Sequence, residues 1–262
     1  MCLALFAWKA HPKYRLILAA NRDEFNDRAA SRPHWWGTEE SLLSGRDLLE
    51  GGTWLGVNRS GAFAAVTNYR EPADLGTVTG KISRGSLVAN YLEGGLPPEA
   101  YVRQVAAARD NYRGMNLLVG NLEEMWYVSN RTEEFRPLEP GIYGLSNHLL
   151  DSPWHKVVLG KLLFTKAILR PDPDPEQLFE LMTDKRQVFD DSQIPDTGIP
   201  REIERFLSSM FIAGKEYGTR VTTVVLISES EEVYFAEKSY LPEGPMVAHR
   251  FQAGVPTPEY IR

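Results

Sequence analysis

Apolar positions come in short strand-like bursts at both ends of the chain and fall into helical spacing through its middle. Residues 2–8 and 14–20 are two apolar, partly alternating runs joined by Lys9-Ala10-His11-Pro12-Lys13, which predicts a β-hairpin. The second strand delivers Asn21-Arg22-Asp23-Glu24 at its far end, and in an antiparallel pair that end returns beside the start of the first. Cys2 and Asp23 are therefore expected as neighbours. Residues 26–36 turn from polar to aromatic and read as a loop leading to a short edge segment. Residues 53–57 and 62–67 predict a second hairpin across Asn58-Arg59-Ser60-Gly61, ending at Asn68.

Helical signals follow. A helix is expected over 83–92, closed by Gly94-Gly95, and another opens at Pro97-Pro98. Strands are expected at 115–120, 125–129 and 141–145, the last ending at Ser146-Asn147. Ser152-Pro153 starts a long helix through Trp154, Val158, Leu162 and Leu169, apolar over a wide arc and so expected to be packed on most of its surface. Shorter helices are expected at 176–183 and 202–210. The acidic, turn-rich stretch 189–199 is expected to be a mobile excursion. Residues 219–228 and 232–237 are late strands rich in β-branched residues. Strands, then helices, then strands predict an α+β class, with a sheet-on-sheet core and helices over its outer faces. One domain over residues 1–262 is expected.

Composition narrows the function classes. A hydrophobic content of 43% and a charged content of 24% are ordinary for a globular domain. The net charge of -6 lacks the basic excess of a nucleic-acid-binding surface, so no nucleic-acid partner is expected. The charge is uneven: residues 170–205 carry 10 acidic and 5 basic groups, whereas the first 36 carry 6 basic and 3 acidic. An anion is therefore better tolerated near the start. No apolar run approaches membrane-spanning length, so no integral membrane association is expected. The start lacks a basic leader, which makes a cytoplasmic location the expectation.

Cys2 is the only cysteine, which excludes an intrachain disulfide. Enzymes that trim initiator methionine accept small second residues, so a mature chain beginning at Cys2 is expected. That places a thiol, titrating near ~8.5, and an α-amine, titrating near ~8, on one residue. Nucleophile and base are then supplied together. The competing reading is a small hydrophobe that starts a buried strand. Three strand ends deliver polar groups, at Asn21-Arg22-Asp23-Glu24, Asn68 and Asn147, and a fourth strand begins near Arg220. Asn side chains can donate to an oxyanion, Asp23 can hold the α-amine, and Arg22 or Arg220 can depress a thiolate pKa. Each taken alone also makes an ordinary turn, cap or surface ion pair. His11, His34, His148, His155 and His249 lack metal-ligand spacing, so no metal site is expected. His34-Trp35-Trp36 suits either a flat ligand such as a porphyrin or an aromatic edge strand.

Taken together, several motifs resemble those of the NRDE family, also called the transport-and-Golgi-organisation protein 2 family. They are Met1-Cys2, Asn21-Arg22-Asp23-Glu24, Gly51-Gly52-Thr53-Trp54-Leu55-Gly56, Thr67-Asn68-Tyr69-Arg70, Ser83-Arg84-Gly85, Tyr143-Gly144-Leu145-Ser146-Asn147 and Tyr217-Gly218-Thr219-Arg220. Val221 stands where the pattern has a serine. The resemblance implies an N-terminal-nucleophile-hydrolase-like fold, a four-layer αββα sandwich, distantly related to cysteine amidases that cleave penicillin V and conjugated bile acids. It implies catalytic roles for Cys2 as nucleophile, Asp23 as the group holding its amine, Asn147 as oxyanion donor and, approximately, Arg22. Asn21, Asn68 and Arg220 would contact substrate. The family is also linked to secretory-pathway organisation, lipid metabolism and haem mobilisation. Two functions follow as expectations: a cysteine hydrolase or acyltransferase acting on a small acylated amide or thioester without a required cofactor, or a carrier that holds haem or an acylated metabolite in the same pocket.

Overall fold

The two N-terminal apolar runs form β1 (Cys2–Trp8) and β2 (Tyr14–Phe25), with Cys2 opposite Arg22 and Ala4 opposite Ala20. The structure is a computed structural model describing residues 2–37, 41–72, 80–133 and 135–254. β2 continues through the whole Asn21-Arg22-Asp23-Glu24 motif, which lies inside the strand and not beyond its end. Around this pair an antiparallel six-stranded sheet assembles from β10 (Gly141–Leu145), β11 (Tyr217–Ser228), β12 (Glu232–Ser239) and β13 (Val247–Gln252), in the order β10-β1-β2-β11-β12-β13. The second sheet takes the intervening strands in chain order: β3 (His34–Trp36), β4 (Leu42–Ser44), β5 (Leu55–Asn58), β6 (Phe63–Asn68), β7 (Met115–Gly120), β8 (Met125–Ser129) and β9 (Phe135–Pro137).

Three apolar clusters stack these elements into layers. Between the sheets, Phe6, Leu18, Val225 and Phe235 meet Leu55, Phe63, Leu118 and Tyr127. The outer face of the second sheet, through Ala64, Val66 and Leu117, is covered by α1 (Gly85–Gly94) and α2 (Pro98–Ala107). The outer face of the first, through Leu3, Leu5 and Ile17, is covered by α3 (His155–Ile168) and α4 (Pro175–Leu181). The result is the expected four-layer αββα sandwich. Each fully buried Leu, Ile or Phe in these layers contributes roughly 1.5–3 kcal/mol of transfer free energy.

α3 departs from expectation. Only one face, with Val157, Gly160, Phe164 and Ile168, is buried, while Val158, Leu162 and Leu169 are exposed, so its wide apolar arc is half spent on solvent. An outer-layer helix has only one neighbour to pack against. The acidic stretch 189–199 is anchored at several points: Arg205 donates to the carbonyls of Val188 and Phe189, Ile194 and Ile199 are buried, and Thr197 bonds to Glu204 of α5 (Arg201–Phe206).

Candidate active site

The pleat sorts the motif on β2 into two pairs. Leu16 and Leu18 face the other sheet and Ile17 and Ala19 face the helices. Continuing that alternation, Arg22 and Glu24 project between the sheets, and Asn21 and Asp23 toward the helix layer. On β1 the same rule puts Phe6 and Trp8 between the sheets, so Cys2 shares that face with Arg22, its cross-strand partner.

Where the sheets part, a cleft of about 230 Å³ opens. Cys2, Arg22, Asp23 and Glu24 line it from the first sheet, Asn68 from the second, and Ser83-Arg84-Gly85 from the entry to α1. That last wall is set by two glycines. A Cβ on Gly52 would lie 2.4 Å from the Gly85 carbonyl carbon, so the two backbones touch, and Thr53 N–H donates to the Gly85 carbonyl. The charges form a chain. Arg22, nearly buried, donates to Asp47 Oδ2 at 3.1 Å, Arg28 donates to the same oxygen at 2.7 Å, and Glu24 lies 3.8 Å from both arginines. Although burial opposes it, the hydrogen bond from Arg28 holds the Asp47 carboxyl below the usual range.

Cys2 is half-buried, with the Ser146 hydroxyl donating to its carbonyl at 3.1 Å. Burial pushes its thiol up, and the Asp23 backbone N–H and the Arg22 charge pull it back. Removal of Met1 concerns a residue outside those described. The Asp23 carboxylate is buried. Its Oδ1 accepts from the Thr219 hydroxyl at 2.7 Å, and its carbonyl accepts from the Tyr217 hydroxyl at 3.0 Å. Burial raises the Asp23 carboxyl, and the Lys156 charge is the largest influence lowering it.

Of the residues expected from the sequence, the cleft therefore brings together Cys2, Arg22, Asp23 and Asn68. Three others lie elsewhere. Asn21 is a clamp in the helix layer, donating to the carbonyls of Met182 and Met210 at 2.9 and 2.8 Å and accepting from Thr222. Asn147 is fully buried outside the cleft lining, with Nδ2 donating to the Asn68 carbonyl at 3.1 Å. Arg220 sits at a bulge in β11 and braces the carbonyls of Phe25, Arg28 and Leu241. Trp35 has Arg59 over one ring face at 3.6 Å and Phe251 in an edge contact at 5.1 Å.

Sequence reasoning missed the buried charges behind Asp23. Arg70 forms an ion pair with Glu204, both almost fully buried, and Lys156 of α3 is buried beside them with its ammonium pushed down to about 8 by desolvation. A lysine in an amphipathic helix carries no sign of burial, so no signal marked it. Arg70 did stand in a motif. Among the described residues, no cluster of three or more His, Cys, Asp or Glu could hold a metal ion, and no helix is long and apolar enough to cross a membrane.

The family model for Transport and Golgi organisation 2 matches residues 1–242. The chain belongs to the Transport and Golgi organisation 2 family. It is 38% identical to the Transport and Golgi organization protein 2 homolog of Bos taurus, over 94% of this chain and 95% of that one. To the Homo sapiens homolog it is 35% identical, over 92% of this chain and 94% of that one. Among solved structures it is similar to a Caenorhabditis elegans N-acylethanolamine-hydrolyzing acid amidase ortholog, at 12% identity and a TM-score of 0.45, over 86% of this chain and 92% of that one. A likeness of that size bears on neither substrate nor mechanism. The four-layer αββα arrangement of this Transport and Golgi organisation 2 chain is read from its own packing.

Proposed function

We propose that this chain is a cysteine hydrolase or acyltransferase in which Cys2 attacks the carbonyl of a small acylated amide or thioester. One observation carries the reading: the only thiol of the chain opens an inner strand into a polar cleft, between the cross-strand Arg22 and the buried Asp23. In a chain processed to Cys2, the α-amine takes the thiol proton as the sulfur attacks, and an acyl–sulfur bond forms. The amide or thioester bond then breaks, and the leaving amine or thiol takes that proton. Water or an acceptor amine next attacks the acyl–sulfur bond and regenerates the thiol. Because burial raises the thiol, this proton transfer accompanies attack, and a resting thiolate is not required. Asn68, a cleft residue whose side chain makes no hydrogen bond with the described residues, is the proposed oxyanion donor, in place of Asn147.

The test is intact-mass spectrometry after incubation with a panel of acyl amides and thioesters. A +acyl adduct present in the wild type and absent in Cys2→Ala supports the reading. No adduct and no turnover across the panel would move the assignment to the carrier. That alternative would place haem or an acylated metabolite in the same cleft, where no described lining residue is a histidine and Cys2 is the candidate iron ligand.

A further inference from the structure

Lys156 is a cation to which the chemistry above gives no role. Its helix runs along β1. At the hairpin end His11 Nε2 lies 3.1 Å from the Arg170 carbonyl oxygen, and further along Gly160 sits so close to Leu5 that a Cβ would lie 2.9 Å from Leu5 Cδ1. One helical turn before Gly160, on the same face, comes Lys156. This puts it over the start of β1 and the end of β2, on the side to which Asp23 points.

The charges around it are unevenly matched. Arg70 donates to Glu204 Oε2, and Thr197 donates its N–H and hydroxyl to Glu204 Oε1, so that carboxylate is engaged at both oxygens. Lys156 Nζ makes no hydrogen bond or ion pair with the described residues, and a void of about 10 Å³ lies beside it, Arg70 and Glu204. An ammonium withdrawn from water needs an opposite charge nearby. The charged and titratable groups around it are Asp23 from β2, Arg70 after β6 and Glu204 from α5, with Cys2 near it in β1 but on the sheet's opposite face, while Tyr217 of β11 bonds to the Asp23 carbonyl. Arg70 is paired with Glu204, which leaves the Asp23 carboxylate, beyond ion-pair distance, as the remaining negative group on the side of the sheet that Lys156 covers.

We propose that Lys156 is a positioning residue that holds the Asp23 carboxylate ionised behind Cys2, so that Asp23 can anchor the α-amine. The coupling stands on the placement of Lys156 and Asp23 on one side of the first sheet; its consequence for chemistry rests on the hydrolase reading.

Carboxyl ¹³C NMR titration of the full chain tests it, with Asp23 assigned from Asp23→Asn. Lys156→Met is expected to move the Asp23 midpoint up by about one pH unit or more, and Lys156→Arg to leave it near the wild-type value. An unmoved midpoint in folded Lys156→Met overturns the proposal. If Lys156→Met does not fold, the reciprocal measurement decides. Asp23→Asn must move the Lys156 side-chain midpoint, about 8 in the wild type, downward, and an unchanged value overturns the coupling. Neither titration needs turnover. Coupled titrations without a Cys2 adduct sink the hydrolase reading and keep the coupling, whereas an adduct with uncoupled titrations does the reverse. Where both hold, the acid limb of adduct formation moves up in Lys156→Met.

Discussion

Arg22 sits over the indole of Trp54, its guanidinium carbon 4.4 Å from the ring centroid, while Asp47 accepts from Nη2 at 3.1 Å. The contact bridges the two sheets at the cleft, joining β2 to the residue just before β5. Lysine can keep the charge there but not the planar stacking face or the fork. Arg22→Lys is expected to lose part of the stability and Arg22→Met more, on the order of 2–3 kcal/mol, with Arg28 keeping Asp47 from being fully orphaned. Urea denaturation followed by tryptophan fluorescence measures both; a neutral Arg22→Met would contradict the bridge.

Asn21 has a different job from its neighbours. Removing its amide strands two buried carbonyls, at about 1–3 kcal/mol for each group left unsatisfied, while the Thr222 hydroxyl keeps the Tyr240 hydroxyl at 3.1 Å as a partner. Asn21→Ala is expected to lower the melting temperature, while adduct formation per folded molecule stays within about twofold of wild type. A large loss of rate at unchanged stability would return Asn21 to the substrate contacts.

Gly52→Ala drives a methyl into the Gly85 backbone, where no flexible side chain can yield. The expected cost is about 1–3 kcal/mol, together with displacement of the α1 wall of the cleft. Thermal unfolding and iodoacetamide reactivity of Cys2, compared with Gly94→Ala at an open position, read the two effects.

Glu237 is fully buried between the sheets, with Oε2 accepting from the Thr223 hydroxyl and Oε1 without a partner among the described residues. Burial pushes its carboxyl up from 4.5 to about 7. The native state then holds a proton that the unfolded chain has released, so this group's contribution is full below about pH 4.5 and is lost as pH rises through about 7. The loss is on the order of 3 kcal/mol. Glu237→Gln is expected to flatten that decline, and urea midpoints of both proteins at pH 5 and pH 8 check it; parallel pH dependences would refute the assignment.

Cys2 alkylation should follow its raised thiol. Iodoacetamide reacts with thiolate, so the rate is expected to keep climbing with pH beyond the midpoint of a free-cysteine peptide. Intact mass against time at several pH values gives the profile directly, because the chain has a single cysteine. A midpoint below that of the peptide would mean that Arg22 and the Asp23 N–H outweigh burial.

Much of this architecture was legible in the sequence, and for identifiable reasons. The β1–β2 and β5–β6 hairpins were readable because their apolar runs are long enough to alternate visibly and are broken by turn residues. β4 and β9, three residues each, are too short to show a period, and β13 is half polar because it is an edge strand. The neighbourhood of Cys2 and Asp23 followed from hairpin geometry. The positions of Asn21 and Asn147 followed as well, but not their uses, because carbonyls from distant segments claim their amides. Lys156 was invisible because its burial is decided by a helix, a strand end and the 188–208 region meeting in space.

The alternation within β2 makes spacing matter as much as spelling. Deleting or inserting one residue between Ala19 and Asn21 would turn Arg22 and Glu24 toward the helix layer and Asn21 and Asp23 toward the inner face, inverting four polar assignments at once. A frame-preserving indel of that kind should be worse tolerated than any single replacement among the same residues.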